Sequence, residues 1–182
     1  MTQVFRPLIV IVAAAVILTA RPVLAGPPLL CFPFEIGAAR TLPMGSGSWK
    51  SIDRQYDVSR LVDDTLALLI PDTPVTVRME TIRRATIYAA SHPKAALALM
   101  TALQERAKAS PAGVVALAVF DFGYLVETYK AAKYMFSEPL PAIDRIDGYQ
   151  LVLKAHALRA DPAMQHAASL IVDGQPKRVA TK

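Results

Sequence analysis

The sequence predicts an all-α fold, a set of helical hairpins preceded by an extended Pro/Gly-rich N-terminal arm. Three observations carry that expectation. From about Tyr56 onward, apolar residues recur three and four positions apart, the period of a helix with one buried face. Polar residues followed closely by proline, at Thr73, Ser91 and Ser110, punctuate the chain where helices would begin. Finally, no segment alternates apolar and polar residues for long enough to compete as a strand.

The elements follow in order. Leu8 to Ala20 is a thirteen-residue run, apolar but for Thr19, behind a single charge, Arg6; Arg21 and Pro22 stop it, and the small or modest residues Val23 and Leu24 lead to Ala25. This is the pattern of a secretory signal peptide over residues 1–25, with cleavage after Ala25. A spanning helix needs about 20 apolar residues, so an uncleaved membrane anchor is the alternative and the poorer fit. Cys31 is preceded by Pro28, Leu29 and Leu30, which does not suit lipidation. Residues 26–54 carry prolines 27, 28, 33 and 43 and read as an extended arm. Leu29, Leu30, Phe32, Phe34, Ile36, Leu42 and Trp49 are too apolar for a solvated linker, so the arm is expected to lie across the body with its aromatics filling a groove.

Residues 55–173 form the expected helical domain. A first helix from Tyr56 to Ile70 uses Val58, Leu61, Val62, Thr65 and Leu69 as its inner stripe. Thr73 then offers an N-cap hydroxyl to a helix with Val75, Met79, Ile82, Thr86 and Ala89 inward and Glu80 paired with Arg84 one turn on. A third runs from Ser91 or His92 to Ala109. The fourth, to about Tyr134, has only Asp121 charged between Val114 and Val126, so it lacks a polar face and is expected to be the central, buried helix. Pro139 and Pro141 make a loop, after which Asp144 or Asp147 caps one helix and Asp161 with Pro162 another. Residues 174–182 are expected to be a basic, disordered tail.

Composition limits the function. The chain carries 20 basic and 15 acidic residues, but Arg6 and Arg21 lie in the signal and Lys177, Arg178 and Lys182 in the tail, leaving a neutral body. Such a body is unsuited to nucleic acid, whose phosphates need a folded basic patch. Cys31, the single cysteine, excludes an intramolecular disulfide and thiolate clusters. Its thiol is buried and inert, or pairs with a second chain as a disulfide-linked dimer, or is a redox site.

The cap-and-proline signals are eighteen and nineteen residues apart, giving one hairpin per roughly 37 residues. The run ALAVFDFGYLVETY, with Gly123 among large apolar residues, resembles the first helix of a tetratricopeptide hairpin. KAHALRADPAMQHAASLI resembles a junction between two such repeats. The segments GPPLLCFPFEIG, PDTPVTVRMETIRRATIYA and FDFGYLVETY also look like those of a family of uncharacterised exported bacterial proteins, a resemblance that implies export and a helical fold and no activity.

No residue pattern names a reaction. His156 and His166 flank a helix break at ten residues' separation, which is not a metal-ligand spacing, and GxSxG, P-loop and dinucleotide glycine patterns are missing, so no catalytic, metal or cofactor site is assigned. Asp121 stands out, because a carboxylate among apolar neighbours must find a partner or shift its pKa. A structural tie to Arg78, Arg83, Arg84 or a tyrosine hydroxyl is expected, with catalysis as the alternative. Gly123 is expected to admit a close helix neighbour, and Tyr124 to serve the core or line a groove. The sequence thus points to a non-enzymatic interaction protein of the cell envelope, periplasmic or extracellular, that binds a protein or peptide partner. A carrier of an apolar ligand and an enzyme using Asp121 are the alternatives.

Overall fold

The computed structural model describes residues 26–174, so the expected signal peptide, its cleavage site and nearly all of the expected tail lie outside the described residues. Within them the architecture is all-α, with no strand. The helices are α1 (Pro28–Cys31), α2 (Leu61–Leu68), α3 (Val75–Ala89), α4 (Pro93–Ala109), α5 (Val115–Ala131), α6 (Gly148–Leu158) and α7 (Pro162–Gly174). None is long and apolar enough to cross a membrane.

Helix α5 is the centre of the molecule, with α3, α4, α6 and α7 packed around it and every residue from Ala116 to Tyr129 buried. Its sequence explains this: with one charge between Val114 and Val126, no face gains from water. The closest approach is to α6. A Cβ placed on Gly123 would lie 2.7 Å from the Leu151 Cβ and 2.8 Å from the Gly148 carbonyl oxygen, and one on Gly148 would lie 2.5 Å from the Gly123 carbonyl oxygen. The two glycines face each other, and their missing side chains let the backbones touch.

Several local expectations are corrected. The first helix is shorter than expected, with a 3-10 turn at Val58–Arg60 leading into α2. Thr73 does not cap α3, which starts at Val75 with Pro74 as its N-cap. Its hydroxyl instead donates back to the Leu68 carbonyl at 2.7 Å, at the end of α2. Asp147 and Asp161 do act as caps, accepting from the Gln150 amide at 3.0 Å and the Ala163 amide at 2.9 Å. Helix α3, expected to be amphipathic, is buried on nearly all sides, its charged residues Arg78, Glu80 and Arg83 included.

The reason for that burial is the segment before α2. Its buried side chains are Leu29, Leu30 and Leu42, whereas Phe32 is 43% exposed and Phe34 and Trp49 are half-buried. Of these aromatics Phe34 alone packs against the core, so the aromatics do not for the most part fill the groove. Leucines do, and polar groups of α3 hold the backbone beside them, because a peptide segment laid on a helix needs partners for its amides and carbonyls.

Candidate functional site

The chemistry-bearing residues fall into two buried charge clusters on α3. In the first, the Arg78 guanidinium, 1% exposed, donates to Oδ2 of the fully buried Asp121 at 2.6 Å. Arg78 also donates to the Thr73 carbonyl at 3.0 Å and to the Ile70 carbonyl, while Arg106 of α4 donates to the Leu69 carbonyl. Two arginines and Thr73 thus occupy the carboxyl end of α2, where backbone carbonyls have no helical partner and the helix dipole favours cations. Asp121 offsets part of the positive charge gathered there. Burial pushes its carboxyl up to about 6, against the pull of Arg78 and the more distant Arg106.

The second cluster centres on Glu80. Its two oxygens accept from Arg83 at 2.7 and 2.8 Å and from Arg84 at 2.6 Å, and the Phe34 amide adds a contact of 3.1 Å. The sequence showed the Glu80–Arg84 pair but not Arg83, whose remaining hydrogens reach the Leu30 and Trp49 carbonyls at 3.0 and 3.1 Å. Arg84 donates to the Leu42 carbonyl at 2.6 Å, and the Tyr88 hydroxyl both donates to the Pro43 carbonyl and accepts from the Asp53 amide. One face of α3 therefore binds the backbone of the N-terminal segment at six points. Burial pushes the Glu80 carboxyl up, but Arg83, Arg84 and the Phe34 amide outweigh it and hold the group below its ordinary range.

The remaining singled-out residues are dispersed. Tyr124 is fully buried and stacks on Phe120 with ring centroids 5.5 Å apart, and its hydroxyl has no hydrogen-bond partner among the described residues. Oδ1 of Asp121 is likewise unpartnered among them. Glu127, on the same helix, is neutralised by Lys130 at 2.7 Å and does not pair with Asp121. Cys31 is half-buried, and burial raises its thiol despite Arg83 nearby. His156 receives the Asp161 amide at 3.4 Å, whereas His166 sits on the wall of a surface trough. No group of three His, Cys, Asp or Glu suited to a metal ion occurs among the described residues.

Among the open depressions on the described surface, two present an exposed large apolar side chain. One, of about 630 Å³, runs between residues 39–43 and the α2–α3 corner, over Leu68, Val77 and the 49% exposed Ile70. The other, of about 480 Å³, lies between the N-terminal segment and the end of α7, with Phe32, Phe34 and Leu170 on its walls. Sequence reasoning missed both, since each is built from segments far apart in the chain. Fold and site together define an all-helical protein with a charge-tied interior and open apolar depressions. No family model, curated protein or solved structure matches this chain.

Proposed function

We propose that this is an exported, non-enzymatic interaction protein of the cell envelope, built on tetratricopeptide-like helical hairpins, that binds a protein or peptide partner. The observation that carries the reading is where the charges go. The buried carboxylates Asp121, Glu80 and Glu127 are each bound by a basic side chain, and the arginines spend their remaining hydrogens on backbone carbonyls. Groups engaged in this way tie segments together and are poorly placed to exchange protons with a substrate. The open depressions, in contrast, present apolar side chains to solvent, the usual property of a docking surface. An apolar-ligand carrier is less favoured, because the apolar residues of α5 are covered by neighbouring helices.

The reading is tested in the native envelope. A photo-crosslinking residue placed at Ile70 or Phe32 is expected to give one discrete adduct that a residue at exposed Lys154 does not give. Equal labelling at all three positions would refute a dedicated interaction surface. Mass spectrometry of the exported chain is expected to show Gly26 as its first residue, and retention of residues 1–25 would overturn the cleaved-signal part.

A further inference from the structure

We infer that the trough between the N-terminal segment and the end of α7 is a docking site for a basic segment of a partner protein, one that carries lysine or arginine beside proline or aliphatic residues. The inference rests on the interaction reading above and names the partner's chemistry.

The walls offer rings: Phe32 and Phe34, with Pro33 between them and Pro27 and Pro28 beyond. Such surfaces accept the aliphatic stem of a lysine or arginine, and an exposed phenyl face adds attraction for the cation itself. The rim supplies the opposite charge. Glu35 and Asp173 line the trough, both exposed, and no lysine or arginine is among the described residues that do so. Neither carboxylate makes an ion pair with a described residue. An acidic peptide or a phosphate would meet repulsion there. A bare cation would find two exposed carboxylates, the His166 imidazole and an apolar wall, and no group of three His, Cys, Asp or Glu among the described residues is placed to hold a metal ion. A side chain that is apolar along its stem and cationic at its tip matches both halves, and proline packs on the same rings.

The test uses the full chain and fluorescence anisotropy of a labelled decapeptide of Lys, Arg, Pro and Leu, beside a peptide with Glu in place of each cation. Binding of the basic peptide is expected, with none of the acidic one. Affinity should fall about tenfold in Glu35→Gln/Asp173→Asn and fall with added salt, as an electrostatic contact requires. Phe32→Ala should weaken it as well. These residues are exposed or half-buried, so unchanged circular-dichroism melts are expected for each variant. Equal binding by wild type and the double variant would overturn the proposal. So would self-association of wild type that the double variant abolishes, which would assign the trough to a second copy. Failure of wild type to bind, with binding restored by Lys177→Gln/Arg178→Gln/Lys182→Gln, would assign it to the chain's own basic residues and overturn a partner. Loss of the trough site while crosslinking at Ile70 persists would leave the interaction reading standing and remove only this inference.

Discussion

Replacing Asp121 by alanine removes the carboxylate that receives Arg78 while leaving the guanidinium sealed in the interior, 1% exposed. Two of the arginine's contacts, to the Thr73 and Ile70 carbonyls, survive. What is lost is the only described counter-charge to Arg78, beside an Arg106 that caps the same end of α2. Breaking a buried pair from one side costs about 3–5 kcal/mol, and the uncompensated neighbouring cation argues for the upper half of that range. With a urea slope of about 2 kcal/mol per molar, the unfolding midpoint should fall by roughly 2 M. Asp121→Leu combined with Arg78→Met removes both charges, and should be less destabilised than the sum of the single variants by about 2 kcal/mol. Full recovery is not expected, since the Thr73 and Ile70 carbonyls then lose their donor. A midpoint for Asp121→Ala that stays in place or rises would refute the structural reading and restore the catalytic alternative, because active-site carboxylates tend to be held at a cost to stability.

Three further outcomes follow from the same geometry. Gly123→Ala sets a methyl against the Leu151 Cβ and the Gly148 carbonyl, neither of which can swing away. Overpacking of about 1–3 kcal/mol should outweigh the gain of about 1 kcal/mol in helix propensity, so a lower melting temperature in calorimetry is expected and a higher one would show that α5 and α6 separate easily. Tyr124→Phe deletes a buried hydroxyl that no described residue engages, and should be neutral or stabilising by up to about 1 kcal/mol in chemical denaturation; a loss beyond about 1 kcal/mol would reveal a partner for that group. The two buried carboxylates should act oppositely with pH. Asp121 is raised from 3.8 to about 6, so the folded state binds its proton more tightly and its contribution to stability declines as pH rises between those values. Glu80 lies below its ordinary 4.5, so its contribution is present above that pH and is lost as pH falls through its folded value. Comparing the pH dependence of stability in Asp121→Asn and Glu80→Gln with wild type checks both signs, and slopes changed in the same direction would contradict them.

Much of the fold was legible in the sequence, because helices announce themselves locally. The proline punctuation, the caps at Asp147 and Asp161, the absence of a polar face on α5 and the small residue at Gly123 all act within a few residues of where they are read. For the same reason the sequence established that Asp121 needs a partner, since its neighbours on α5 are apolar all round. Which partner answers was a tertiary matter: Arg78 lies 43 residues away in the chain, and Arg83 reaches the Leu30 carbonyl across 53. The burial of α3 was hidden for a related reason. Hydrophobic periodicity reports which face of a helix is apolar, but a charged face can also be buried if a remote segment supplies carbonyls for its arginines, and residues 30–49 do so here. Thr73 shows the same limit on a smaller scale, since its hydroxyl could serve the helix after it or the one before it, and only the packed corner of α2 and α3 decided for the Leu68 carbonyl. The two depressions belong wholly to the tertiary structure. Each is the space left between segments that are separate in the chain and that only the packed structure sets side by side.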